Sequence, residues 1–167
     1  KNKAKSNLKK KNVDVKSSIL LREGINFYES FILQKSNHLP YADAKIAISN
    51  DYFTKNKLSS RITNNRSRKT TFLLRSKYDC IVSTSKTIND DNSFLNCRID
   101  GLEHKSPDVI IIDRYLKLKK NLKILNDKVN NRKITLFTLI KNKKKSKFLK
   151  KKGIKIKFFK SINSYND

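Results

Sequence analysis

The stretch that decides the fold spans residues 39–98 and reads LPYADAKIAISNDYFTKNKLSSRITNNRSRKTTFLLRSKYDCIVSTSKTINDDNSFLNCR. At its start, residues 42–49 alternate between apolar and polar side chains, which predicts a strand with one apolar face. Thr63 or Asn64 can cap the helix expected over residues 65–76, because a short side-chain oxygen accepts the free amide hydrogens of a first turn.

The second half of the stretch joins that helix to a short strand. We expect the helix to turn three apolar residues, 72–74, toward the core and to end at Arg75. An apolar run at residues 80–82 then predicts a strand over residues 80–83, and hydroxyl side chains stand at its end, at Ser83, Thr84, Ser85 and Thr87. In open α/β sheets, ligands bind outside the carboxyl ends of the strands. The hydroxyls are therefore candidate ligand contacts.

Helical and strand patterns alternate along the rest of the chain. Residues 21–34 carry apolar side chains at helical spacing, and Gly153 is expected to end a short basic helix that precedes it. Further strands are expected where apolar residues alternate or run together, at residues 13–20, 108–113, 134–140 and 154–158. Strands that alternate with helices predict an α/β sheet and argue against a helical bundle or a coiled coil.

The chain is strongly basic. Its 167 residues are enough for one domain with a buried core, and 40 Lys and Arg against 14 Asp and Glu give a net charge of +26. One interpretation is a basic RNA-binding or ribosomal-type module, because Lys and Arg neutralise phosphates. The other is a compositional bias that inflates Lys, Asn and Ile together. Asn and Ile neutralise no phosphate, so their joint excess favours the second interpretation.

The sequence predicts neither a metal site nor a membrane span. Cys80 and Cys97 stand apart, His38 and His104 are isolated, and no Cys-x-x-Cys or His-x-Glu motif is present. Two free thiols suit a reducing, cytoplasmic location. No apolar run reaches the roughly 18 residues that a membrane helix needs. The chain contains no Met, so we expect it to be an internal piece of a longer protein or a processed form.

Four segments of the deciding stretch resemble a known enzyme family. LPYADAKIAIS, SSRIT, the helix end LLR and DCIVSTSKTINDDNSFLNCR are similar to the reductase domain of the bifunctional riboflavin-biosynthesis deaminase/reductase family. The resemblance implies an α/β, dihydrofolate-reductase-like fold with a mixed sheet flanked by helices, truncated at its C-terminus. It also implies that residues 1–35 are the tail of a deaminase domain with a linking helix, and that residues 36–167 are a partial reductase domain.

The resemblance implies an activity as well as a fold. The family reduces 5-amino-6-(5-phosphoribosylamino)uracil to its ribitylamino form with NADPH, and we expect the parent protein also to carry the pyrimidine deaminase, where zinc would belong. The expected partner is the phosphoribosylaminopyrimidine substrate, with no specific nucleic acid and no membrane. A homo-oligomer formed through the sheet, an inactive homologue, and a fragment that is inactive on its own all stay open.

The family's motifs also assign roles to individual residues. The planar, forked guanidinium of an arginine can bind a phosphate through two hydrogen bonds. The alternative role for any arginine in so basic a chain is an ordinary solvated surface charge. The resemblance implies two catalytic residues, Lys45 and Asp91. It implies cofactor contacts at Ala47, Arg61, Thr87 and Asp91, and substrate contacts at Ser59, Arg75, Leu95 and Arg98.

The chain departs from the family pattern at several positions. Arg61 stands where the family has a Trp that contacts the cofactor, and it is a candidate contact for the 2′-phosphate of NADPH instead. Asp51-Tyr52 replaces an Asp-Gly turn, and Arg114 replaces a Ser. The family's later Glu-Gly-Gly segment is not found before Asp167. The predicted site is therefore incomplete.

Overall fold

The computed structural model describes residues 3–54, 62–126 and 132–160. The chain forms two compact units, Lys1–Ile48 and Ser49–Asp167. No helix in these described ranges is long and apolar enough to cross a membrane.

The first unit is built from short helices, and none of its described residues is buried. They are α1 (Lys3–Lys10), α2 (Leu21–Phe27) and α3 (Glu29–Asn37). The single helix predicted over residues 21–34 is divided at Tyr28, whose backbone (φ −96°, ψ 11°) lies outside the helical range. The helical spacing of apolar residues predicted helix correctly, but it does not register a local break in the backbone.

The two strands predicted in and beside this unit are wrong. Residues 13–20 and 42–49 have no regular secondary structure. An alternating segment becomes a strand only when a neighbouring strand completes its hydrogen bonds, and the described residues provide no such ladder for either segment. Ile46 and Ile48, predicted to face a core, are 68% and 46% exposed. Ser18 and Leu20 also have positive φ angles of 64° and 53°, which ends any extended run there.

The second unit contains a four-stranded parallel sheet in the order β1-β2-β3-β4. The strands are β1 (Cys80–Thr84), β2 (Asp108–Ile112), β3 (Ile134–Thr138) and β4 (Ile154–Phe158). The α/β class and the strands predicted here are confirmed, with residues 134–140 shortened to β3. The sheet was expected to be mixed, and every pairing among the described strands is parallel.

The core lies on one face of this sheet. Val109 and Ile111 of β2 and Leu136 of β3 are at most 1% exposed. Two helices add fully buried side chains to the same cluster: α5 (Ser85–Asp91) with Ile88, and α6 (Lys143–Lys151) with Leu149. The periodic placement of these apolar residues positions both helices against the strands.

The remaining helix, α4 (Asn65–Arg75), begins where the sequence predicted. Asn64 Oδ1 accepts a hydrogen bond from the Ser67 backbone N–H at 2.9 Å. The expectation that residues 72–74 all turn toward the core is wrong, because consecutive helical residues point about 100° apart. Phe72 is half-buried, whereas Leu73 and Leu74 are exposed.

Candidate functional site

Polar side chains line the edge of the sheet where the strands end. Asp113, directly after β2, is 2% exposed and accepts a hydrogen bond from the Ser85 hydroxyl at 2.8 Å. Its carboxylate also accepts the backbone N–H groups of Lys117 and Leu118, at 2.7 and 2.8 Å. The buried carboxylate thus fixes the loop after β2 against the start of α5. This edge is where α/β sheets bind ligands.

Helix α5 starts at the same edge and places two of the predicted residues. Thr84, the last residue of β1, caps the helix by accepting the Thr87 backbone N–H at 3.2 Å, and the two hydroxyl oxygens are 3.1 Å apart. Asp91 is the last residue of α5. Thr87 and Asp91 are both exposed, and residues four apart lie on one face of a helix. The structure therefore presents them together.

Arg75 and Arg98 meet over a single aromatic ring. Their guanidinium carbons lie 5.3 and 5.4 Å from the centroid of the Phe72 ring, within the range of cation–π attraction. Arg75 Nη1 donates to the Asn96 carbonyl at 2.9 Å, and Arg98 Nε donates to the Asn96 side-chain oxygen at 3.1 Å. The structure thus brings together two arginines that are far apart in the sequence.

Positive charge is concentrated at this point. The pKa of Arg75 is lowered, chiefly by burial and then by the neighbouring charges of Arg98 and Arg132. The neighbouring Cys97 thiol acts on the Arg75 pKa in the opposite direction. A half-buried guanidinium beside two other cations is stabilised by an anion. The arginine group therefore suits a phosphate or a carboxylate.

Leu95 lies beside the arginines and is held by the third of them. Its side chain is 8% exposed, and its backbone has a positive φ of 54°. Arg132 Nη1 donates to the Leu95 carbonyl at 2.9 Å, and Arg132 Nη2 donates to the Phe94 carbonyl. Sequence reasoning missed Arg132, because it belongs to no motif and lies 37 residues away from Leu95. Its position shortly before a predicted strand was the one available signal.

The two groups of residues lie toward opposite ends of the strands. Arg132 precedes β3, and Ser106, whose hydroxyl accepts the Cys97 N–H at 3.0 Å, precedes β2. The arginine group is thus near the ends where strands begin, whereas Thr87 lies where β1 ends. Asp91 connects the two groups along the chain, four positions before Leu95.

The other four predicted site residues do not belong to the described part of the second unit. Ser59 and Arg61 fall outside the described residues. Lys45 is exposed and Ala47 is half-buried, both within the first unit, and their roles remain predictions. Within residues 3–54, 62–126 and 132–160, no group of three or more His, Cys, Asp or Glu side chains is arranged to hold a metal ion.

The sequence of residues 40–160 matches the family described as the RibD C-terminal domain. The chain belongs to the RibD C-terminal domain family. Arg75, Thr87, Asp91 and Arg98 all lie within the matched range, and the resemblance found in the sequence is confirmed. No curated protein matches the chain in sequence.

Solved structures of RibD proteins share the fold. Acinetobacter baumannii RibD matches in two crystal forms: form 1 at 19% identity and a TM-score of 0.71, over 96% of this chain and 45% of that one, and form 2 at 20% and 0.70, over 93% and 43%. The Thermotoga maritima diaminohydroxyphosphoribosylaminopyrimidine deaminase/5-amino-6-(5-phosphoribosylamino)uracil reductase matches at 17% and 0.68, over 90% and 48%. The fold is therefore that of RibD reductase domains, which is dihydrofolate-reductase-like. The chain spans less than half the length of each of these proteins.

Proposed function

We propose that this chain provides the reductase domain of a riboflavin-biosynthesis enzyme and reduces 5-amino-6-(5-phosphoribosylamino)uracil to its ribitylamino form. The family match over residues 40–160 is the observation that carries the proposal. The Thermotoga maritima relative is described as both a deaminase and this reductase. NADPH would supply the hydride, which adds to C1 of the ribose after the ring opens to an imine.

The chemistry sets three tasks for the residues of this chain. Ring opening moves a proton from the glycosidic nitrogen to the ring oxygen, and the nitrogen gains a proton again when C1 is reduced. The protein must move that proton, hold the phosphate of the substrate, and align C1 with the nicotinamide. Lys45 and Asp91 are the proposed groups for the proton.

Arg75 and Arg98 are proposed to bind the substrate phosphate. A guanidinium has five N–H donors in a planar fork, and the hydrogen bonds in the described part of the chain use one donor of each arginine, both toward Asn96. The remaining donors and the concentrated charge suit a phosphate monoester. Leu95, through its backbone, and Ser59 complete the proposed substrate contacts.

The cofactor is proposed to bind along α5 and the carboxyl edge of the sheet. The exposed Thr87 hydroxyl and the Asp91 carboxylate suit the hydroxyl groups of a ribose, and the edge itself is the usual ligand position of parallel sheets. Ala47, through its backbone, and Arg61, toward the 2′-phosphate, are the other proposed contacts. These residue types fit NADPH.

Several wider features belong to the same proposal. Residues 1–35 are proposed as the end of a deaminase domain with its linking helix, and residues 36–167 as part of the reductase domain. Zinc would belong to the deaminase domain.

A cytoplasmic location is proposed from the free thiols Cys80 and Cys97. A homo-oligomer through the sheet is proposed because β1 is an edge strand among the described strands and its Val82 is 65% exposed. The comparisons lend no support to an RNA-binding module.

The proposal is tested by mixing the purified chain with NADPH and the phosphoribosylaminopyrimidine. We expect substrate-dependent consumption of NADPH and formation of the ribitylamino product, identified by mass spectrometry. Reactions without substrate, and reactions with the dephosphorylated substrate, are the controls. Consumption of NADPH at equal rates with and without the substrate phosphate would contradict the assignment of the arginines.

A further inference from the structure

Side chains from distant parts of the chain fix the backbone of residues 94–97. Arg132 donates to the carbonyls of Phe94 and Leu95, and Arg75 donates to the carbonyl of Asn96. The next backbone group, the N–H of Cys97, donates to the Ser106 hydroxyl. Four successive residues are therefore held from outside the segment, directly before Arg98.

The conformation held in this way is one that the segment resists. Leu95 has a φ of 54°, in the left-handed region that residues with a Cβ avoid. Such a conformation persists only where the surrounding contacts hold it, and it is common at ligand-binding positions. The Arg132 guanidinium binds the carbonyl groups that precede and follow the N–Cα bond of Leu95. The φ angle is the rotation about that bond, so Arg132 acts at the point of strain.

Arg132 differs from its two neighbours in how its donors are used. Both of its terminal nitrogens donate to backbone carbonyls, which fixes the plane of its guanidinium against residues 94 and 95. Among the described residues, Arg75 and Arg98 each donate to one partner atom, in both cases an oxygen of Asn96. Arg132 is thus suited to holding the segment, whereas the other two are suited to holding a ligand.

We propose that Arg132 is a positioning residue of the anion site, fixing residues 94–97 so that Leu95 and Arg98 face a sugar phosphate together with Arg75. The inference rests on the proposed function for its ligand class, which is the phosphate monoester of a pentose. Arg132 acts through the segment and not by contact with the substrate.

The fork geometry gives a way to separate this role from simple charge. Lysine keeps the positive charge of Arg132 but has one ammonium group, which cannot span two carbonyls in the same fixed geometry. Glutamine removes the charge as well. A positioning role makes Arg132→Lys and Arg132→Gln similarly harmful, whereas a role of charge alone leaves Arg132→Lys close to the unchanged protein.

The test is the affinity of the whole chain for ribose 5-phosphate, measured by isothermal titration calorimetry, with NADPH titrated separately. We expect Arg132→Lys to weaken ribose 5-phosphate binding by about tenfold or more and to leave NADPH affinity unchanged. The matched control is Arg66→Lys, the same substitution at the exposed start of α4, which is expected to change neither affinity. If Arg132→Lys does not fold, Ser106→Ala loosens the same segment through Cys97 and is expected to weaken ribose 5-phosphate severalfold.

Each outcome decides the proposal. Unchanged affinity of Arg132→Lys for ribose 5-phosphate overturns the proposal. An equal loss of affinity for ribose 5-phosphate and NADPH also overturns it, because such a loss indicates a general structural role. Failure of the unchanged chain to bind ribose 5-phosphate also overturns it. If the chain binds ribose 5-phosphate in an Arg132-dependent way but does not reduce the pyrimidine substrate, the proposed function fails and the positioning role stands.

Discussion

Arg75 and Arg98 both contact the Phe72 ring. Arg75 also binds the backbone carbonyl of Asn96, and Arg98 binds its side-chain oxygen, so each arginine is partly ordered before any ligand binds. Pre-ordered charged donors lose little conformational entropy when they bind. A charge-assisted hydrogen bond to phosphate contributes about 1.5–3 kcal/mol. We therefore expect Arg98→Ala to raise KM for the phosphorylated substrate and to lower kcat/KM about ten- to a hundredfold.

Steady-state kinetics of the purified chain measures this change, and Arg75→Ala is expected to behave similarly. Lys151→Ala is the control, because Lys151 is an exposed cation on α6. Equal losses in all three variants would show that general positive charge, and not a specific site, governs the kinetics.

Asp113 provides a second prediction at the scale of one residue. Its buried carboxylate accepts hydrogen bonds from Ser85, Lys117 and Leu118. Removing the acceptor leaves buried donors without partners, and each costs about 1–3 kcal/mol. We expect Asp113→Ala to lower the free energy of unfolding by about 2–4 kcal/mol, measured by urea denaturation. Asp100→Ala, at an exposed turn position, is expected to change it by less than about 0.5 kcal/mol; comparable losses would contradict the role given to Asp113.

At the scale of the elements, α4 and α6 begin with the same cap but are anchored differently. Asn64 and Asn142 each accept a backbone N–H three residues on, at 2.9 Å. Helix α6 buries Leu149 completely, whereas α4 buries no residue. An Asn cap is worth about 1 kcal/mol, and it affects global stability only where the helix is bound to the core.

We therefore expect Asn142→Ala to lower the global free energy of unfolding by about 1 kcal/mol. Asn64→Ala is expected to speed hydrogen exchange of the α4 amides with a smaller global effect. Urea denaturation and amide hydrogen exchange measure the two quantities. A larger global loss from Asn64→Ala would show that α4 is bound to the core more firmly than its exposure indicates.

Some secondary-structure elements were predictable from the sequence and others were not. Residues 109–112 form a continuous apolar run between turn signals, and a segment of that kind is typical of the interior of a parallel sheet. Residues 42–49 specify two faces but not a partner strand, and the pattern alone therefore predicted a strand that is absent. Alternation in sequence records side-chain polarity, whereas strand formation depends on the neighbouring backbone.

The residues of the candidate site also divide into those that the sequence predicted and those that it did not. Arg75 and Arg98 were predictable because they belong to motifs that the family shares. Arg132 was not predictable, because it contacts backbone carbonyls of a segment far away in the sequence. Every residue has a backbone carbonyl, so the sequence does not show which ones accept a hydrogen bond. The positive φ of Leu95 was likewise invisible, since a leucine gives no signal of a left-handed backbone.

For the whole molecule, the uneven distribution of charge is the feature with a measurable consequence. Residues 132–160 contain no Asp or Glu, although Lys or Arg occupies nearly half of the positions. Lys145 and Lys152 are engaged by the Leu116 carbonyl and the Asn126 side chain, at 2.5 and 2.7 Å. Apart from Lys145, the lysines of α6 are exposed. The apolar side chain of Leu149 is committed to the core, so this helix offers charge to a partner and not an apolar face.

Charge of this kind predicts polyanion binding without selectivity. Exposed lysines neutralise phosphates and release counterions, but they read no base edges. We expect two RNA oligonucleotides of equal length and different sequence to bind with equal affinity in fluorescence anisotropy. That affinity should fall by about a thousandfold or more between roughly 50 and 200 mM salt if six or more phosphates are neutralised. Reductase kinetics at the higher salt should depend on Arg75 as before, because its half-buried guanidinium is screened less than the exposed lysines. Sequence-selective RNA binding that survives the higher salt would favour the RNA-binding interpretation over the enzyme.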